Sequence, residues 1–98
     1  MSPYRRETRP IEAVYNAILE IATKPVKSTR IIYGANLASS LFLSYASFLK
    51  SRGLIERLED KTWLITERGK EYLYVYSHLK RILDHVEPAT APLHKDTR

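Results

Sequence analysis

Apolar residues recur at helical spacing from Ile11 onward, and stops at Pro25, Gly34 and Gly53 cut that pattern into three short segments. A chain punctuated this way folds as a cluster of short helices rather than one long rod. In the first segment Arg9-Pro10 opens the helix. Thr8 or Arg9 sits at the cap, and Pro10 takes the first helical position, where a missing N–H leaves nothing unsatisfied. Ile11, Val14, Tyr15, Ile18, Leu19 and Ala22 then form one apolar stripe, and Thr23-Lys24-Pro25 ends it, because the residue before a proline avoids the helical region. In the second segment Ser28 or Thr29 caps a short helix carrying Ile31, Ile32 and Ala35. Gly34-Ala35-Asn36 makes a turn, and Asn36 caps a third helix from Leu37 to about Arg52, with Leu37, Leu41, Tyr45, Phe48 and Leu49 facing inward. Lys50-Ser51-Arg52-Gly53 is a helix stop: cations near the negative end of the helix, then glycine for the left-handed residue.

After Gly53 the period changes. Leu54 to Glu59 and Thr62 to Ile65 are β-rich runs flanking a polar Asp60-Lys61, which predicts a hairpin, although the favoured Asn-Gly turn is missing. Thr66 caps a fourth helix from Glu67 to about Glu87, ended by Pro88 and about 30 Å long at about 1.5 Å per residue. Its apolar positions, Tyr72, Val75, Tyr76, Leu79, Ile82, Leu83 and Val86, repeat at threes and fours. The order helix, helix, glycine turn, helix, hairpin, long helix is a winged helix-turn-helix arrangement: mainly α, with a small β-hairpin. This divides the chain into a flexible basic arm (residues 1–9), a winged-helix domain (10–66), a dimerisation helix (67–87) and a disordered tail (88–98). The apolar positions of the fourth helix could all pack back onto their own domain, but a core built from 98 residues is small beside a helix of that length, so the distal half, Leu79 to Val86, favours a second copy as its cover.

The net charge of +5 is localised. Acids and bases balance in residues 1–20 and again in 56–98. Between Ile21 and Ile55 stand Lys24, Lys27, Arg30, Lys50 and Arg52, with no Asp or Glu. A surface facing phosphates excludes carboxylates, which the nucleic acid would repel. Chance imbalance on a solvated surface would give the same pattern; its overlap with the second and third helices favours nucleic acid.

Three runs resemble a known family: Thr29-Arg30-Ile31-Ile32-Tyr33-Gly34-Ala35-Asn36-Leu37, Phe48-Leu49-Lys50-Ser51-Arg52-Gly53-Leu54-Ile55-Glu56 and Ile65-Thr66-Glu67-Arg68-Gly69-Lys70. They are similar to the archaeal winged-helix DNA-binding proteins of the "10a" chromatin type, whose relatives include predicted transcription regulators. The resemblance spans about residues 10–80. It implies a winged helix, a C-terminal helix forming an antiparallel coiled-coil dimer, and DNA binding without a cofactor. The family's third helix carries lysines and a tyrosine on its exposed face; here Ser39, Ser40, Leu43, Ser44 and Ser47 stand there.

The expected partner is double-stranded DNA, bound by a homodimer acting in transcription regulation or chromatin. The third helix presents Ser39, Ser40, Leu43, Ser44 and Ser47 to the major groove. Lys24, Lys27 and Arg30 hold phosphates, Arg57 and Lys61 reach the backbone or minor groove from the wing, and Arg5, Arg6 and Arg9 form a mobile arm. Leu43 lies either against a thymine methyl or in a protein contact. The competing expectation is a protein-interaction module with little DNA affinity, since fold does not dictate function.

Other classes find little support. The absence of cysteine removes disulfides, thiolate metal sites and thiol nucleophiles, and suits a cytoplasmic protein. His78, His85 and His94 lie too far apart in sequence to chelate one ion, so no metal is expected. No glycine-rich phosphate loop or catalytic set stands out, so neither an enzyme, a cofactor nor a small-molecule ligand is expected. No apolar run reaches the ~18 residues of a membrane span. No glutamine and only two asparagines, Asn16 and Asn36, fit either a thermophile or the chance composition of a short chain.

Overall fold

The computed structural model describes residues 9–85. Six elements follow in the expected order: α1 (Ile11–Ile21), α2 (Ser28–Gly34), α3 (Ser39–Ser51), β1 (Ile55–Arg57), β2 (Trp63–Ile65) and α4 (Glu67–Asp84). The amphipathic stripe of α1 drives its burial: Val14, Ile18 and Leu19 are fully enclosed, with Ala22 just beyond the helix. Ile31 from α2, Ala35 and Leu37 from the turn after it, Phe42, Ala46 and Leu49 from α3, Leu54 beyond α3, and Ile55, Trp63 and Ile65 from the hairpin complete one core.

The buried face of α3 is rotated from the expected one. Leu37 and Leu49 are buried as expected, but Phe42 and Ala46 fill the centre, while Tyr45 is half-buried and Phe48 exposed. The two outer aromatics have other partners. The Phe48 ring stacks on Tyr15 at 5.3 Å, the Tyr45 ring meets Tyr15 edge-on at 5.8 Å, and the Arg52 guanidinium lies 5.0 Å over Phe48. Aromatic pairing outside the core thus takes the place of burial within it.

The helix starts also differ in detail. Pro10, Lys27 and Ala38 occupy the cap positions of the first three helices, none with a side-chain cap bond. Ser28 is the first residue of α2, and its hydroxyl accepts from the indole Nε1 of Trp63 at 2.9 Å. Asn36 takes a left-handed turn conformation, φ 58°, instead of capping α3. The Thr8 alternative lies outside the described residues.

The hairpin pairs Ile55 with Ile65, Glu56 with Leu64 and Arg57 with Trp63, antiparallel. Val26 adds a separate, single-residue rung: its N–H donates to Trp63 O at 3.1 Å and its carbonyl accepts from Trp63 N at 2.7 Å. Trp63 is therefore paired on both sides, and the segment between α1 and α2 is stitched to the sheet.

Thr66 caps α4 as expected and does more. Its hydroxyl accepts from Gly69 N at 3.0 Å and donates to Gly53 O at 2.6 Å, joining the end of α3 to the start of α4. Gly53 itself has φ +77°, the left-handed stop. Gly69 is required by close approach: a Cβ there would collide with the Leu54 carbonyl and lie 2.6 Å from Ile65 Cγ1. The helix α4 packs against α1, where Tyr72 and Leu73 meet the core. Every residue from Ser77 to His85 is exposed. Val86 and the tail 88–98 lie outside the described residues.

Candidate nucleic-acid interface

The local chemistry of the hairpin sets the position of its cations. Leu58 N donates to Thr62 O at 2.8 Å and Lys61 N to Leu58 O at 2.9 Å, a three-residue loop closed by a left-handed residue. That residue is Lys61, at φ 67° and exposed at the tip. Asp60 Oδ1 accepts from Thr62 N at 3.1 Å and Thr62 Oγ1 at 2.6 Å. The Thr62 hydroxyl, then its backbone N–H, hold the Asp60 carboxyl below its usual range, with a smaller contribution from the Lys27 charge. Lys27 is thus close enough to the hairpin turn to be felt there.

Arg57 lies opposite Trp63 in the ladder, and its guanidinium sits 4.5 Å over the indole ring. This cation–π contact orients an exposed charge without neutralising it. On the other side of Trp63, Val26 leads directly into Lys27. Lys27 and Arg57 therefore stand on the two segments that pair with Trp63. Lys24 is exposed in the same inter-helix segment, and Arg30 is exposed on α2.

On α3, Ser39, Ser40, Leu43, Ser44 and Ser47 are all exposed; Ser40, Ser44 and Ser47 lie on the side of the helix away from Phe42 and Ala46, and Ser39 and Leu43 on the flank. Their hydroxyls can donate or accept. The structure thus sets Lys27 beside the wing and leaves the outer face of α3 without charge until Lys50.

Arg9 differs from its expected place in a mobile arm. Its Nη2 donates to Ala35 O at 2.8 Å and to Asn36 O at 3.4 Å, so it braces the turn between α2 and α3. Arg5 and Arg6 lie outside the described residues. The candidate interface also takes in two cations that the sequence places in the acid-free stretch without a DNA contact, and one aromatic that it does not mark as a contact. Lys50 and Arg52 are exposed at the end of α3, and Tyr33, 82% exposed at the end of α2, lies immediately before Gly34. The concentration of bases without acids was a signal for the two cations; an aromatic beside a turn glycine carried no comparable one.

The expected dimerisation residues divide. Tyr72 packs partly on the core, and burial beside it raises its phenol above its usual range. Tyr76 stacks with Tyr72 at 6.4 Å. Val75, Leu79, Ile82 and Leu83 remain exposed. Among the described residues, no cluster of acidic, histidine or cysteine side chains is placed to hold a metal ion. No single helix there is long and apolar enough to cross a membrane.

Comparison with known proteins places this geometry. A family model described as winged helix-turn-helix matches residues 9–84. No protein with a curated description matches the chain. Among solved structures, the crystal structure of Sso10a-2, a DNA-binding protein from Sulfolobus solfataricus, aligns over 92% of this chain and 98% of its own with a TM-score of 0.70 and 24% identity. That likeness is one of fold, and it reaches through the long last helix.

Proposed function

Because the chain belongs to the winged helix-turn-helix family, we propose that it binds double-stranded DNA as a homodimer, in transcription regulation or as a chromatin-associated protein. The observation that carries this reading is the acid-free stretch 21–55, which holds the whole net charge and also forms α2 and α3. Lys24, Lys27, Arg30, Arg57 and Lys61 take phosphates, and the serines of α3 approach the groove edges. Arg5 and Arg6 add a basic arm ahead of α1. The binding energy rests on the inter-helix segment, α2 and the wing, with α3 supplying close polar contact rather than charge.

The dimer forms through α4. Val75, Leu79, Ile82 and Leu83 expose apolar surface that nothing among the described residues covers, and a second α4 in an antiparallel coiled coil would bury it. Tyr72, Tyr76 and Val86 extend the same seam at its two ends. Nothing in this reading calls for a cofactor, a metal or catalysis, and the activity takes place where DNA is, in the cytoplasm or nucleoid.

A second reading, a protein-interaction module, is favoured by one observation: Leu43 and Tyr33 are both strongly exposed in the stretch that would meet DNA. A gel shift with random-sequence duplex separates the two. DNA binding predicts a retarded complex that competitor duplex removes; no shift at any protein concentration at low salt selects the interaction module instead.

A further inference from the structure

We propose that Leu43 reads thymine: its side chain packs on the thymine C5-methyl group in the major groove and gives this protein a preference for T-containing sites. The inference rests on the DNA-binding reading and deepens it.

The observation is the chemistry of one helix face. Phe42, Ala46 and Leu49 mark the buried side of α3. On the flank beside it Leu43, 63% exposed, stands among serines. Ser39 and Ser40 lie four and three positions before it and Ser47 four after, so all three are its neighbours on the helix surface. Ser44 extends the same polar face. From Ser39 to Leu49 the helix carries no charged side chain.

These residue types differ in what they can distinguish. A serine hydroxyl both donates and accepts, so it satisfies the major-groove edge of any base pair and discriminates poorly. An Arg or Lys on this face would select guanine, and an Asn or Gln adenine; α3 has none there. Leu43 is the one side chain on the face that gains from an apolar partner, and the only apolar group on the major-groove edge of DNA is the thymine methyl. Opposite a G·C pair the same leucine would cover polar atoms without bonding them. The serines around it keep the face narrow, letting the helix come close enough for a carbon–carbon contact. The occupant is DNA rather than an apolar protein groove because Leu43 lies within the acid-free stretch that carries the net charge of the chain.

The contact is worth about one buried methyl, which corresponds to roughly fourfold in affinity for each thymine read. The test removes that methyl and nothing else. The full-length protein is titrated by anisotropy against an A·T-rich duplex and against the same duplex with every thymine replaced by uracil. Leu43→Ala is titrated against both, with its melting temperature checked; the exposed position should leave folding unchanged. The expected result is a weaker complex with the uracil duplex, by about fourfold or more, and a Leu43→Ala variant that binds both duplexes equally at about the wild-type affinity for uracil DNA. Equal wild-type affinities for the two duplexes overturn the proposal. So does a thymine preference that survives in Leu43→Ala, since it would then come from duplex shape. If the wild type bound neither duplex at low salt, the DNA-binding reading itself would fall, and this inference with it.

Discussion

The indole Nε1 of Trp63 donates a 2.9 Å hydrogen bond to the hydroxyl of Ser28. Through that bond the wing is tied to the first turn of α2, at the point where Lys27 precedes the helix and Arg57 lies over the same indole. Trp63 is 5% exposed, so its N–H has little access to water. Ser28→Ala would leave that donor unsatisfied, at a cost of about 1–3 kcal/mol. Urea denaturation followed by the fluorescence of the single tryptophan measures both the loss and the change in its surroundings. A variant as stable as the wild type would show that Ser28 does not position the wing.

The tip of the wing permits a separation of stability from binding. Lys61 holds a left-handed conformation that disfavours any Cβ-bearing residue. Lys61→Gly relieves that strain and should raise stability by about 0.5–1 kcal/mol, net of the greater freedom of glycine in the unfolded chain. The same change removes a cation from the proposed DNA surface. DNA affinity should therefore fall while the melting temperature rises, and the salt dependence of binding should lose about one phosphate's share. Affinity and stability rising together would place Lys61 outside the interface.

The exposed apolar face of α4 gives a third test. Leu79 and Ile82 are 50% and 58% exposed and make no part of the core. Replacing both with glutamate leaves the winged-helix core intact, and sedimentation should show a dimer for the wild type and a monomer for the double variant. The wild-type melting temperature should rise with protein concentration and that of the double variant should not. An unaltered mass would rule out α4 as the seam.

Local chemistry was readable from the sequence, and distant pairing was not. The stripe of α1, the Gly53 stop and the Thr66 cap each depend on residues within a few positions of one another, and each is found in the structure. Ser28 and Asn36 have the residue types of helix caps, but Trp63, far along the chain, takes the serine hydroxyl, and the turn takes Asn36 in a left-handed conformation. The rung between Val26 and Trp63 involves one residue on each side, so it leaves no alternating pattern to detect. Arg9 reads as part of a basic arm until its carbonyl partners at Ala35 and Asn36 are known. On α3, periodicity alone could not choose between Tyr45 and Phe48 and the pair Phe42 and Ala46. The choice depends on Tyr15, which draws the outer aromatics to α1. For the candidate interface, the location of the charge was legible; the exposure of Tyr33 and the placement of Arg57 over Trp63 required the fold.

The central claim, that the acid-free stretch and the wing bind DNA through phosphate contacts, is tested most directly by the salt dependence of affinity for a duplex. With about four to six phosphates neutralised per subunit, log K should fall linearly with log salt at about 0.9 for each phosphate. Lys24→Ala and Lys27→Ala should each make the slope shallower by about that amount. An affinity unchanged between low and moderate salt would contradict the account.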